Sequence, residues 1–183
     1  MKFRFKALLC FTAGLMFAGI LNGCSSSTDM EAMEKQEPVS HGMLQASEIA
    51  EALVENTASG VSFVCLDAAS VPSYYSFDPE LVEDAVVYMS VNSSYSDEIA
   101  VFEMAEGKDE TEVLTAVNNR VLSKARAFRD INPTEYDKLR AAVQVNISGY
   151  IVLAVTAYPE TAQSVIAELF YGPVTTVMAG ESQ

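Results

Sequence analysis

Two apolar runs decide the fold: AVVYMSV at 85–91 and EIAVFEMA at 98–105, with the polar turn NSS at 92–94 between them. Both runs are rich in β-branched and aromatic residues, which favour strands, whereas Asn and Ser favour turns. The segment therefore predicts a β-hairpin. A long amphipathic helix is predicted next, over 109–130, with a capping box formed by Asp109 and Glu112.

The same order of elements then recurs. AAVQVNI at 141–147 alternates as a strand does, a Ser-Gly turn follows at 148–149, and YIVLAVTA at 150–157 predicts a more buried strand. Pro159 begins a last helix that ends at Gly172. Each half therefore has the pattern strand, turn, strand and helix, although the two halves share little sequence.

The residues before this pattern predict a further helix and a short extended segment. Residues 45–59 have helical periodicity, with Ser47 as the expected N-cap, and VSFVCL at 61–66 is a short strand or an extended segment packed on the core. We expect one α+β domain over 44–172. It has a four-stranded, mostly antiparallel sheet, helices on one face, and two strand-turn-strand-helix halves preceded by an N-terminal helix.

The amino terminus has the pattern of an export signal. Basic residues at 2–6 precede fifteen uncharged, mostly apolar residues, which are too few to cross about 30 Å of hydrocarbon comfortably. The run ends Leu21-Asn22-Gly23-Cys24, which resembles a bacterial lipobox. We expect residues 1–23 to be a lipoprotein signal peptide and Cys24 to be the site of lipid attachment. A plain secretory signal, or an uncleaved anchor, is the alternative.

The remaining boundaries and the charge complete this picture. Residues 24–43 predict a lipid-anchored flexible tether, and 173–183 a flexible tail. The chain has 183 residues, 25 acids and 11 bases, a net charge of −14. Because a nucleic-acid-binding protein needs a basic surface, this balance argues against nucleic acid as a partner. The expected location is the extracytoplasmic face of the cell membrane, reached through the lipid on Cys24.

An aromatic group in the proline-broken segment 68–80 is the candidate partner contact. It consists of Tyr74, Tyr75 and Phe77. If exposed, these rings would suit a peptide, a glycan or an envelope protein as partner, and if packed against the sheet they are core. The core interpretation is the favoured one of the two.

Two alternative functions would depend on carboxylates. Asp78, Glu80, Glu83 and Asp84 make the 74–84 segment a candidate small-ligand or Ca²⁺ site, although they lack the spacing of a calcium loop. A carboxylate-based hydrolase is the weaker alternative. Cys65 stands in an apolar run, so we expect a buried, inert thiol.

The order of several short motifs resembles a family of small bacterial lipoproteins. The motifs are FDPELVEDAVVYMS at 77–90, SDEIAVF at 96–102 and GYIVLAV at 149–155. The family is domain of unknown function 4358, found mainly in clostridia and their relatives. The resemblance covers about 44–171, and it implies one α+β domain at a Gram-positive-type cell envelope. It implies no activity, no cofactor and no functional residues.

These observations lead to one functional expectation. No catalytic motif, phosphate-binding loop or metal-ligand pair stands out in the sequence. We therefore expect a non-enzymatic binding or envelope-assembly module without a cofactor or metal.

Overall fold

The computed structural model describes residues 37–40, 42–58 and 60–172. Helices and strands of this part of the chain follow one another in the order α1, β1, α2, β2, β3, α3, α4, β4, β5, α5. The helices are α1 Ala46–Thr57, α2 Val71–Tyr74, α3 Thr111–Phe128, α4 Pro133–Arg140 and α5 Pro159–Tyr171, with one 3₁₀ turn at Pro79–Leu81. The strands are β1 Phe63–Cys65, β2 Val82–Ser90, β3 Glu98–Met104, β4 Val143–Ile147 and β5 Tyr150–Val155.

The strands form one sheet in the order β1-β2-β3-β5-β4, and every neighbouring pair is antiparallel. The predicted hairpins are both present, β2 with β3 and β4 with β5. Ser148 and Gly149 at the second hairpin turn have φ values of 50° and 81°. A two-residue turn of this kind needs positive φ at both positions, which matches the twist of the strands it joins.

The prediction of four strands was wrong by one. The fifth strand is β1, which pairs with β2 at the edge of the sheet through Phe63↔Ser90 and Cys65↔Tyr88. It has only three residues, and Val64 and Cys65 in it are exposed. A strand this short carries too little periodicity to be separated from an extended segment by sequence alone.

The prediction that the helices cover one face of the sheet was also wrong. On one face α3 and α4 pack over alternate residues of β3 and β5, including Ala100, Phe102 and Leu153. On the other face α1 and α5 pack over the intervening residues, including Ile99, Val101 and Val152. The physical reason is visible in β5, all six residues of which are buried, since a strand covered on both sides needs apolar residues in both directions.

The repeated order of elements is confirmed, but it is not a rotational symmetry. The two hairpins lie side by side through the antiparallel pair β3–β5, whereas the helices that follow them, α3 and α5, lie on opposite faces. A rotation that exchanges two antiparallel strands leaves both helices on the same face. The two halves are therefore alike in pattern and different in handedness.

The helix starts differ from the expected caps. Gln45, and not Ser47, precedes α1, and its N–H donates to Glu48 Oε2 at 2.8 Å. At α3 the Asp109 carboxylate accepts from the Thr111 N–H at 2.9 Å, while Glu112 accepts from the N–H of Asp78 at 2.7 Å. Asp109 and Glu112 therefore do not form the predicted capping box, because Glu112 binds the α2–β2 connection instead.

Contacts of the domain begin a little before the predicted start at residue 44. The Val39 N–H donates to the Phe170 carbonyl at 2.8 Å, and Val39 packs against the α1–α5 core. Tyr150 accepts from the Gly42 N–H at 3.2 Å and donates to the Leu44 carbonyl. Within the described ranges, no helix has the length and apolar character required to span a bilayer.

Candidate functional site

A polar groove lies between the α2 segment and the outer side of α3. Its volume is about 610 Å³, within the usual range for small-molecule sites. Most of the side chains that line the groove carry hydroxyl or amide groups. The aromatic residue of the lining is Tyr74, which is 40% exposed. The described lining residues are Ser73, Tyr74, Ser76, Glu112, Thr115, Ala116, Asn119, Arg120 and Ser123.

Arg120 connects this groove to the interior. Its Nε donates to Glu98 Oε1 at 3.0 Å and its Nη2 donates to Glu98 Oε2 at 3.0 Å, a two-pronged pair that fixes the guanidinium plane. The guanidinium carbon lies 5.2 Å from the centre of the Tyr74 ring and 5.9 Å from that of Tyr75. Arg120 is therefore a rigid member of the groove wall, held from behind by a buried carboxylate and in contact with two aromatic rings.

Glu98 is fully buried and satisfied by three side chains. Besides Arg120, it accepts a hydrogen bond of 2.6 Å from Lys124 Nζ and one of 2.6 Å from the Tyr75 hydroxyl. The Arg120 and Lys124 side chains are themselves only 17% and 14% exposed. Glu98 lies at the start of β3 with the same strand parity as Ala100 and Phe102, so its carboxylate faces α3.

Burial and the neighbouring charges shift the pKa values of the groups in this cluster. Burial opposes ionisation of Glu98, but attraction to Lys124 and the Arg120 contacts outweigh it, so the pKa of Glu98 is below its ordinary value. Burial, and then the charge of Glu98, raises the pKa of Tyr75 well above its ordinary value, which keeps this hydroxyl a hydrogen-bond donor. Burial lowers the pKa of Lys124 in spite of Glu98.

A second buried ion cluster adjoins the first. Lys138 Nζ lies 2.7 Å from Asp97 Oδ2 and 3.0 Å from Glu135 Oε1. Glu135 Oε2 also accepts from the N–H of Ser96 at 2.7 Å and from its hydroxyl at 2.8 Å. Lys124 joins the clusters because its Nζ also donates to the Ser96 carbonyl at 2.7 Å. The segment 96–98 is thus fastened to both α3 and α4.

Comparison with known families identifies the chain. The family described as Domain of unknown function (DUF4358) matches residues 64–156. The protein belongs to this family. No curated protein and no solved structure matches the sequence. The DUF4358 match begins in β1 and ends just after β5, and it contains the groove and both ion clusters.

The three aromatic residues predicted as a partner contact are separated by the fold. Tyr75 and Phe77 lie in the core, where their rings meet Phe102 edge to face at centroid distances of 5.0 and 5.4 Å. Tyr74 alone of the three is exposed and lines the groove. A contiguous aromatic patch made by all three is therefore not formed, as the core interpretation predicts for two of them.

The acids of the 74–84 segment make local contacts. Asp78 Oδ1 accepts from the Glu80 N–H at 3.0 Å and caps the 3₁₀ turn. Asp84 Oδ1 accepts from the N–H of Ala85 at 2.8 Å. Among the described residues, no three His, Cys, Asp or Glu side chains come together in a way that would hold a metal ion.

The two cysteines of the sequence prediction have different outcomes. Cys65 is exposed, so the expectation of a buried thiol was wrong: the residue lies on the edge strand β1, where the apolar run is not covered. Cys24, the proposed lipid site, lies outside the described residues, as do the predicted signal peptide at 1–23 and the predicted tail at 173–183.

The residues that build the groove wall were missed as a group. From the sequence, Arg120 and Lys124 are predicted only to lie within the helix over 109–130, and Glu98 only to begin a strand. The signal for their role was nevertheless present. A carboxylate at an inward position of an apolar strand requires buried cations, and bases four residues apart lie on one side of a helix.

Proposed function

We propose that this protein is a non-enzymatic binding module, anchored by a lipid on Cys24 to the extracytoplasmic face of the cell membrane. The observation that carries the binding part of the proposal is the groove between α2 and α3, with Arg120 fixed in its wall. A preformed concave site lined by convergent polar groups and one exposed ring has the usual character of a ligand or partner site. The export and lipobox pattern at 1–24 supports the anchor.

The acids near the groove favour binding over hydrolysis. Glu112 is the carboxylate among the described lining residues, and one of its oxygens is already occupied by the Asp78 N–H. Glu98 lies behind the wall and its pKa is lowered, whereas a general acid needs a raised one. Glu98 is therefore unsuited to be the proton donor of the carboxylate pair on which such a hydrolase depends.

The anchor is tested by fractionation and mass spectrometry. The wild-type chain is expected in the membrane fraction with acyl chains on its amino-terminal Cys24 peptide, since two or three chains hold a protein stably. Cys24→Ser should move the protein to the soluble or secreted fraction, and Cys65→Ser is the matched control that should not. An unmodified Cys24 in membrane-bound wild-type protein would contradict the anchor.

The groove is tested by photocrosslinking in intact cells. A benzoylphenylalanine in place of Ser123, in the groove, is compared with one in place of Glu168, an exposed residue of α5 on the other side of the sheet. We expect a discrete crosslinked species from position 123 only. Equal crosslinking from both positions, or none from position 123, would contradict a partner site at the groove.

A further inference from the structure

We propose that the groove between α2 and α3 binds a neutral carbohydrate chain. This inference rests on the proposed binding function and names its ligand class. It is carried by exposed hydroxyl and amide groups that have no partner among the described residues, beside a fixed guanidinium and one exposed aromatic ring, in a site whose charges balance.

The first observation is the hydrogen-bonding capacity of the lining. The side chains of Ser73, Ser76, Asn119 and Ser123 are exposed, and none of them has a hydrogen-bond partner among the described residues. Hydroxyl and amide groups both donate and accept. A sugar presents many hydroxyls that also do both, so several of these side chains can be satisfied by one ligand.

The second observation is the guanidinium. Nε and Nη2 of Arg120 are engaged with Glu98, while Nη1 makes no hydrogen bond within the described part of the chain. Because the guanidinium is held by two parallel hydrogen bonds, its free donors have a fixed position. When a ligand oxygen accepts a hydrogen bond from these donors, little side-chain entropy is therefore lost, because Arg120 is already ordered.

The third observation is the aromatic ring. Tyr74 is 40% exposed, and Arg120 occupies the region over the ring at 5.2 Å from its centre. A sugar ring has apolar C–H faces as well as hydroxyl edges. Tyr74 offers an apolar surface beside the polar groups, which is the combination that such a ligand requires.

The charge balance selects a neutral ligand over an acidic one. Arg120 and Lys124 are matched by the buried Glu98 and by Glu112 in the groove wall. The whole chain carries a net charge of −14, so its long-range field repels anions. No surplus positive charge is left in the site for a carboxylate or phosphate ligand.

The test is isothermal titration calorimetry of the full chain, purified in a detergent without a sugar headgroup. The neutral probes are cellotetraose and chitotetraose, and the acidic probe is tetragalacturonate. We expect at least one neutral probe to bind with a Kd between roughly 10 μM and 1 mM, the range of small polar ligands in open sites. Tetragalacturonate should bind at least tenfold more weakly.

Three variants locate the binding. Tyr74→Ala and Asn119→Ala change exposed groove residues and should each weaken binding at least tenfold. Leu122→Ala, which changes a residue 44% exposed on the same helix but outside the groove lining, should leave it unchanged. Thermal melts confirm that all three fold.

The outcomes separate this inference from the proposed function. Failure of both neutral probes, preference for tetragalacturonate, or equal weakening by Leu122→Ala would each overturn the carbohydrate inference. A protein crosslinked from position 123 together with no binding of any probe would overturn the inference while the proposed binding function stands. Loss of that crosslink and of the Cys24 lipid would overturn the proposed function itself.

Discussion

Replacing Glu98 by Gln tests whether the buried ion cluster stabilises the domain. The change keeps the size of the side chain but leaves Arg120 and Lys124, both mostly buried, without their carboxylate. Breaking a buried ion pair from one side typically costs about 3–5 kcal/mol, because the remaining charge stays desolvated. Two cations share this carboxylate, so we expect a loss of about 4 kcal/mol in the free energy of unfolding at pH 7. That is a large fraction of the roughly 5–15 kcal/mol typical of a domain.

The assay is urea denaturation of the full chain followed by circular dichroism, and the matched control is Glu106→Gln. Glu106 is exposed, so its substitution should change the free energy of unfolding by no more than about 0.5 kcal/mol. A Glu98→Gln effect as small as that of the control would refute the reasoning.

The pH dependence of the same variant gives a second, independent check. The folded-state pKa of Glu98 lies below its ordinary value of 4.5, so the ionised carboxylate contributes its full stability above pH 4.5. That contribution is lost as the pH falls from 4.5 through the lower folded-state pKa. Gln at position 98 does not titrate, and the gap between wild type and variant should therefore narrow between pH 5 and pH 3. A gap that stays constant over this interval would show that the carboxylate's charge is not the cause.

Other parts of the structure give further predictions. Phe102→Ala removes the ring that Tyr75 and Phe77 contact and should cost about 3–5 kcal/mol in urea denaturation, against about 1 kcal/mol for Phe102→Leu. Lys138→Met removes the cation shared by Asp97 and Glu135 and should cost about 3 kcal/mol at pH 7. The loss should be smaller at pH 4 because, in spite of burial, hydrogen bonds from Ser96 and Lys138 hold the pKa of Glu135 below its ordinary value of 4.5. The exposed Lys108→Met is its control, and equal losses at both pH values would contradict the pairing. Cys65 should react with maleimide within minutes in the folded protein, detected on its tryptic peptide, and a need for urea would show that it is buried.

The sequence predicts the hairpins and long helices because each contains many residues with one consistent period. β2, β3, β4 and β5 lie where their β-branched runs predict, and α3 spans most of the predicted 109–130. What sequence could not determine is which face of the sheet each helix covers, since the apolar runs of β3 and β5 suit burial on both sides equally. For edge strand β1 the sequence left a strand and an extended segment open, and the exposure of Cys65 was missed, because three residues carry no readable pattern.

The groove illustrates a different limit. Tyr74 was identified from its residue type, but Arg120 and Asn119 are 46 and 45 positions further along the chain and meet it only through the packing of α3 on the sheet. Pairs this far apart are fixed by tertiary structure. The inward position of Glu98 on its strand indicates from the sequence that this carboxylate needs buried partners. Which bases of the chain are those partners follows only from the packing of α3 on the sheet.

The hydrogen bond from Val39 to Phe170 determines where mechanical load enters the domain. A pull on the chain preceding Val39 acts first on the end of α5, which belongs to the α1–α5 layer. The groove belongs to the α3 layer beyond the sheet, and its fixed Arg120 is braced by β3. If the proposed membrane tether is stretched, the α1–α5 layer therefore takes the load first, and the sheet lies between that layer and the groove.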